Sequence, residues 1–372
     1  VPVPDDIAEL GARLKAWLFD DALRLWWEGG TDHQAGGFFE ALRPDGRPVP
    51  APRRLRVVAR QIFVFAQAGR MGWTGPWRQA VEHGLAALTR YRRPEGLYRF
   101  SLDDGGAPVD DSAQPYEQAF ALLALSAAHQ ALGAERGFET LAVATRQRLA
   151  EVLGRPDGGV HDDASRGLPL RANPLMHLFE ASLAWRTVGA DPGWADLADR
   201  IARLAREHLR LPSGALPELF DDHWRATQEA EVEPGHQFEW GALLLIQAAL
   251  AGEPDTRSVG QRLIALGERG VDPARGVVIA SQDQAGRPGD PTARLWPQTE
   301  RLRAGVLLAE IDPPAGWAIV RAGAESLQRY LDAPLPGLWR ERMEAEGGFR
   351  DEPSPASSLY HLLGPIQALD AL

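Results

Sequence analysis

The stretch Val232 to Trp240, Val-Glu-Pro-Gly-His-Gln-Phe-Glu-Trp, sets an imidazole, a carboxylate and an indole at positions 236, 239 and 240. Residues three and four apart share a helix face, so His236, Glu239 and Trp240 point the same way if a helix starts at Pro234-Gly235. The apolar run Gly241 to Leu245 follows directly, which reads as a buried helix. Titratable groups opening such a helix suit proton transfer, because an imidazole exchanges its proton near neutral pH. For this stretch alone, a His and a Glu that only solvate a helix end are an equal alternative.

Recurrence favours chemistry. Asn173-Pro-Leu-Met-His-Leu-Phe-Glu180 has the same form, with Asn173 as N-cap, Pro174 at the first helical position, and His177 and Glu180 three apart. Gln114-Pro-Tyr-Glu117 and Trp296-Pro-Gln-Thr-Glu300 open two further helices alike. The prolines at 115, 174, 234 and 297 are spaced by 59, 60 and 63 residues. The same period reaches Arg60-Gln61 downward and Tyr360-His361 upward. Six polar helix starts at one period make a repeat architecture.

The elements that must carry these residues follow from apolar spacing and turn signals. Helices are expected at roughly 6–27, 55–70, 76–93, 114–132, 136–153, 173–188, 193–209, 236–251, 256–269, 293–310, 315–331 and 357–371. Residues 32–52 read as a loop with a short hairpin. Links within pairs are short, as at 189–192 and 311–314, which marks antiparallel neighbours. Links between pairs are long and turn-rich, so they all emerge at the end where the His- and Glu-bearing helices begin. The expected fold is all-α: one domain, 1–372, an (α/α)6 barrel of six helical hairpins with long loops on the active-site face. An open solenoid is the alternative, and polar residues converging from every repeat favour closure. Trp77, Phe138, Trp194 and Trp317 open outer helices as anchors.

On that frame one mouth receives Arg60, Tyr116, Glu117, Asn173, His177, Glu180, His236, Glu239, Trp240, Trp296, Gln298, Glu300 and His361. A Glu three residues after His177 and His236 is placed to fix each tautomer; His361 has only the hydroxyls of Ser357 and Ser358 beside it. His33, His83, His129, His161, His208 and His223 fall outside the repeat phase and are assigned mostly to surface or loops. Di-metal bundles place Glu before His, whereas here His precedes Glu twice, and HExxH and EF-hand patterns are absent from the sequence. No metal is expected. No cofactor is expected either, since the sequence has neither GxxxxGK[ST] nor a strand–GxGxxG–helix pattern. Glu180, Glu239 and Glu300 offer a carboxylate pair for glycoside hydrolysis, but that chemistry does not call for three histidines.

Composition narrows the partners. A net charge of −11 argues against nucleic acid and anionic membrane, and weakly against a heavily phosphorylated substrate. Lys15 is the only lysine and there is no cysteine, which leaves little room for Schiff-base chemistry and none for thiol nucleophiles or disulfides. The longest apolar run breaks within about 12 residues, too short to span a bilayer. The first residues show no basic and apolar leader, so a cytoplasmic location is expected. Monomer and homodimer are both open.

Taken in order, Arg60-Gln61 before an aromatic run, Asn173-Pro-Leu-Met-His-Leu-Phe-Glu-Ala181, Pro234-Gly-His-Gln-Phe-Glu-Trp240, Leu295-Trp-Pro-Gln-Thr-Glu300 and Ala356-Ser-Ser-Leu-Tyr-His361 resemble the N-acylglucosamine 2-epimerase superfamily. The resemblance spans nearly the whole chain, and within the group it is most similar to the aldose–ketose isomerase branch typified by D-mannose isomerase. It implies an (α/α)6 barrel and metal-free chemistry through an enediol. It also implies His236 and His361 as the acid/base pair, with His177 as a third site histidine assisting ring opening and hydroxyl binding. Arg60, Glu239 and Glu300 match polar substrate contacts, and Trp296 and Trp339 match aromatic walls. Tyr116, Asn173, Glu180, Trp240 and Gln298 complete the expected contacts to a monosaccharide. The implied reaction is D-mannose to D-fructose, with D-lyxose as a lesser substrate; a sugar 2-epimerase and then a glycoside hydrolase are the alternatives. Pro365 departs from simple helix rules, since it denies the carbonyl of His361 its helical donor.

Overall fold

The computed structural model describes residues 2–372. Twelve helices run through it, the first in three consecutive segments: α1 (Asp5–Ala16, a π-helical stretch Trp17–Ala22, and Leu23–Glu28). The others are α2 (Leu55–Arg70), α3 (Trp77–Arg90), α4 (Pro115–Leu132), α5 (Phe138–Leu153), α6 (Ala172–Val188), α7 (Gly193–Glu207), α8 (Pro234–Ala251), α9 (Pro254–Glu268), α10 (Leu295–Ala309), α11 (Pro313–Leu331) and α12 (Ser358–Asp370). The even-numbered helices touch in sequence, and α12 returns to α2, so they close a ring. Each odd-numbered helix packs outside its neighbour, with α1 backing α12 across the two ends of the chain. This is an (α/α)6 barrel. Lys15, the sole lysine, is tied to Asp370 at 2.6 Å where α1 meets α12.

Burial follows the layers. The inner helices are covered nearly all round: α4 buries every residue from Glu117 to His129. The outer α7 buries a single stripe, Trp194, Leu197, Ala198, Ile201, Ala202, Leu204 and Ala205, and shows its charges outward. The expected anchors hold, with Trp194 stacked on Trp185 at 5.3 Å and Trp77 laid over Gly69. Between α8 and α9 the backbones approach so closely that a Cβ on Gly260 would lie 2.9 Å from the carbonyl of Gly241. Glycine is needed there for space.

The helix starts differ from expectation in two places. Pro115 and Pro234 do begin their helices, but Pro174 and Pro297 sit at the third position, because α6 starts at Ala172 and α10 at Leu295. Asn173 is therefore inside the first turn and is not the N-cap. A proline is tolerated there because first-turn N–H groups have no helical acceptor. The helix α12 runs through Pro365 without interruption.

The long loops gather at one face and are stitched by two- and three-residue strands. Arg53–Arg54 pairs with Ser101–Leu102, which pairs with Pro108–Asp110; Leu170–Arg171 pairs with Leu219–Phe220, and Ala293–Arg294 with Arg342–Met343. Ala41–Leu42 pairs with Ser354–Pro355, so the loop after α1 is joined to the one before α12. The expected hairpin in 32–52 is present as bridges at Thr31–Phe38 and Leu42–Pro48. Buried glutamines hold the loops onto the helices. Gln118, Gln237 and Gln298 each bracket one loop residue, accepting from its N–H and donating to its carbonyl: Tyr98 (2.8 and 2.8 Å), Leu216 (2.9 and 2.8 Å) and Val278 (2.9 and 3.0 Å).

Candidate active site

Because every inner helix begins at the loop face, its first turn points into the barrel mouth. A cavity of about 180 Å³ opens there, lined by Arg60, Tyr116, Asn173, His177, Glu233, His236, Glu239, Arg294, Trp296, Ser357, Ser358 and His361. Larger cavities of about 240 and 540 Å³ lie around Arg155 and Arg200 on the outer layer, and none of the three histidines reaches them. The indole of Trp296 lies between two imidazoles, its centroid 4.8 Å from that of His236 and 5.7 Å from that of His361.

Each histidine has its own carboxylate. His236 Nδ1 is 2.9 Å from Glu218 and 3.6 Å from Glu233. Burial alone would favour the neutral ring, but the two carboxylates outweigh it and raise the imidazole to about 10. His361 Nδ1 is 2.8 Å from Glu300 of α10. Burial first, and then the positive charge of Arg60, with Arg294 and Arg303 adding to it, holds His361 well below the ordinary imidazole range. His177 Nδ1 is 3.2 Å from Glu180, and burial outweighs that contact to lower it to about 4. At neutral pH one histidine is a cation and two are neutral, and all three rings have Nδ1 engaged.

The carboxylates form a second layer. Glu180 accepts from Tyr360 as well as facing His177, and Arg303 stands 3.6 Å from Glu180 and 3.5 Å from Glu300. Glu239 has neither carboxylate oxygen hydrogen-bonded; burial, together with Glu300, pushes it well above the usual carboxylate range. It faces the cavity where burial favours its protonated form, which can donate or accept. His177–Glu180–Glu239, Glu218–Glu233–His236 and Glu239–Glu300–His361 each gather within 4.8 Å. The cation that Glu180 and Glu300 already face is the Arg303 guanidinium, and the Glu218 group holds the His236 imidazolium. Among the described residues Arg60 has no carboxylate partner; it donates to Tyr116 Oη at 2.9 Å and to the Ser357 carbonyl at 3.2 Å.

Thus Arg60, Tyr116, Asn173, His177, His236, Glu239, Trp296 and His361 come together around the cavity as expected. Others are placed elsewhere. Glu180 and Glu300 lie behind histidines rather than on the wall. Trp240 is fully buried against Phe179 at 5.9 Å, and Trp339 stacks on Trp26 at 5.0 Å. Gln298 is spent on Val278. The Glu three residues after His is the partner of His177 but not of His236, since Glu239 lies nearer to His177, 3.8 Å away. His361 does have a Glu, supplied across helices, while Ser358 donates to Glu341 instead, at 2.8 Å. His129 is buried against Trp185 rather than exposed.

Sequence reasoning missed Glu218, Glu233, Arg294, Arg303 and Glu341. Glu233 directly precedes the Pro234 motif, and Arg303 lies three residues after Glu300 on α10, so helical spacing could have found both. Glu218 and Glu341 come from loops, where no period points to them.

A family model, N-acylglucosamine 2-epimerase (GlcNAc 2-epimerase), matches residues 37–365. The chain belongs to this family. A mannose-6-phosphate isomerase of Rhizobium meliloti (strain 1021) is 42% identical over 98% of both chains. A D-mannose isomerase of Thermobifida fusca is 32% identical over 64% of both chains. Among solved structures, a D-mannose isomerase superposes with a TM-score of 0.89 at 22% identity over 100% of both chains. The cellobiose 2-epimerase of Spirochaeta thermophila DSM 6192 gives 0.87 at 21% identity over 98% of both. These two likenesses carry the barrel fold. No helix among the described residues is long and apolar enough to cross a membrane.

Proposed function

We propose that this member of the epimerase and isomerase family is an aldose–ketose isomerase that interconverts D-mannose and D-fructose, with D-lyxose as a lesser substrate. The observation that carries the reading is the pair flanking Trp296: a cationic His236 and a neutral His361, facing one small polar cavity. Moving hydrogen between C1 and C2 of an open-chain sugar needs a base for the C2 proton and charge stabilisation on O1 and O2. His361 has Nδ1 hydrogen-bonded to Glu300, so its Nε2 is the base. It takes the C2 proton and returns it to C1 of the enediolate. His236 is the acid that serves O1 and O2, and Arg60, lacking a carboxylate of its own, holds the developing oxyanion. His177 and Glu239 bind hydroxyls and assist ring opening. The chain's own side chains supply every proton transfer.

The unphosphorylated sugar is favoured by the arginines of the loop face. Arg54 is paired with Glu40 (2.5 Å), Arg56 with Glu117 (2.5 Å), Arg171 with Asp162 (3.0 Å) and Arg294 with Glu341 (2.9 Å), which leaves little uncommitted positive charge for a phosphate. The Rhizobium relative, named a mannose-6-phosphate isomerase, supports the phosphorylated sugar as the second reading. A panel of free and 6-phosphorylated aldoses, followed by NMR in D₂O, tests both. D-Mannose is expected to give D-fructose first, with deuterium at C1 in part or in full, and glucose only slowly afterwards. Turnover of the phosphorylated sugars alone would select the second reading. Early glucose deuterated at C2, ahead of fructose, would make the protein a 2-epimerase.

A further inference from the structure

Beneath the two neutral histidines lies a side chain that touches neither ring. Arg303, largely buried on α10, stands 3.5 Å from Glu300 Oε2 and 3.6 Å from Glu180 Oε1. The other oxygens of the same two carboxylates take the ring nitrogens: Glu300 Oε1 faces His361 Nδ1 at 2.8 Å, and Glu180 Oε2 faces His177 Nδ1 at 3.2 Å. Glu300 Oε2 has no hydrogen-bonding partner among the described residues, so the ion pair with Arg303 is the contact it has. One guanidinium therefore underlies both imidazoles through one carboxylate each.

We propose that Arg303 is a positioning residue: by clamping Glu300 and Glu180 from below, it sets which ring nitrogen of His361 and of His177 faces the sugar. The proposal rests on the isomerase reading for its consequence in catalysis, though not for its geometry. A carboxylate accepts only, so an ionised Glu300 keeps the proton on His361 Nδ1 and leaves the Nε2 lone pair toward the cavity. A protonated Glu300 donates instead; the ring proton moves to Nε2 and the base is lost. Burial favours that protonated form and lifts Glu300 to about 7, against the pull of Arg303.

The neighbours on each packed element sharpen the point. From α8 come Glu239, whose own charge would oppose that of Glu300, and the cationic His236. From α6 come Glu180 and His177, from α2 Arg60, from the strand before α10 Arg294, and from α12 Tyr360, which is occupied with Glu180. Arg60 and Arg294 bear on the His361 ring, whereas Arg303 alone among the described residues forms an ion pair with Glu300. The hydrogen bond that His361 Nδ1–H donates to an ionised Glu300 therefore depends on this one cation.

The test is Arg303→Gln and Arg303→Lys in the full chain, with kcat and KM for mannose across pH and long-range ¹⁵N–¹H spectra of the imidazoles. Arg303→Gln is expected to lower kcat by about 10²-fold, the lower range for losing a positioned base, with KM changing by less than about threefold. The acid limb of its pH profile should move to higher pH, since Glu300 must now lose its proton without a cation beside it. The spectra should show His361 changing from the Nδ1–H to the Nε2–H form. Arg303→Lys keeps a charge but not the place of the one nitrogen, Nη1, that faces both carboxylates, so it should shift the limb and the tautomer less and recover part of kcat. Should Arg303→Gln fail to fold, Arg303→Lys carries the test. An unmoved limb with an unchanged His361 tautomer, in either folded variant, overturns the proposal. Wild-type protein inactive on every aldose would instead sink the isomerase reading, and the tautomer spectra would still decide the role of Arg303.

Discussion

His236 and His361 present the same ring to the same indole, from α8 and α12, and end in opposite states. Around His236 stand carboxylates from the loop, Glu218 and Glu233, and among the described residues no guanidinium forms an ion pair with them. Around His361 the hydrogen-bonded carboxylate Glu300 is shared with Arg303, Glu239 lies within 4.8 Å, and Arg60 and Arg294 add positive charge. Burial pushes both rings toward neutrality. What separates them is the count of uncompensated carboxylates within reach, which overrides desolvation at one ring and not at the other. An acid and a base are thus made from one residue type, on either side of Trp296, without a metal being invoked in any step.

The largest effects should come from deleting either side of the pair. His361→Gln and His236→Gln are each expected to lower kcat for mannose by about 10²–10⁴-fold, with KM nearly unchanged, because each ring acts in the transition state. C2–H exchange into D₂O separates them: His361→Gln should abolish exchange together with turnover, whereas His236→Gln should retain more exchange than net fructose formation. Losses confined to KM in both variants would reduce the two rings to binding groups.

A smaller change converts one environment toward the other. Glu218→Gln keeps a hydrogen-bond acceptor beside His236 but removes the charge that raises it. The alkaline limb of kcat, expected near pH 10 in the wild type because His236 is raised to about 10, should fall toward the ordinary imidazole range. At pH 9 the variant should be at least about tenfold slower than the wild type, since each unit of pKa is a tenfold change in the protonated fraction. An unmoved limb would mean that His236 is not the acid.

The contrast also explains what could be read from the sequence. The barrel was legible because a proline in the first turn of an inner helix recurs at Pro115, Pro174, Pro234 and Pro297, at a period of about sixty residues. His177, His236 and His361 were legible for the same reason: they sit in the first two turns of inner helices. Their protonation was not legible. Glu218 arrives from a loop stitched by Leu219–Phe220 to the preceding one, and Glu300 reaches His361 across helices, so neither pairing has a sequence spacing. Trp240 and Gln298 share the helix starts with true cavity residues but turn toward Phe179 and Val278. Helical phase places a residue on a face; it does not say whether that face meets a cavity or a neighbour.

The smallest effects, a few kcal/mol at most, should appear in stability, and there the two rings should differ in sign. His236 has a folded pKa of about 10, above the 6.5 of an ordinary imidazole. Its charge therefore stabilises the fold fully below pH 6.5, and that contribution is lost as pH rises through 10. His361 is the reverse: its folded pKa lies well below 6.5, so the unfolded chain takes up the proton first and the fold weakens as pH falls below 6.5. Thermal unfolding of wild type, His236→Gln and His361→Gln between pH 5 and 10 reads both slopes. The deficit of His236→Gln should be greatest below pH 6.5 and shrink toward pH 10. His361→Gln should lose less stability than the wild type on going from pH 7 to pH 5, although His177, lowered to about 4, leaves part of that acid slope in place. Parallel curves for all three proteins would mean that both rings carry the same charge in the folded state, and the division between an acid and a base on either side of Trp296 would fall with it.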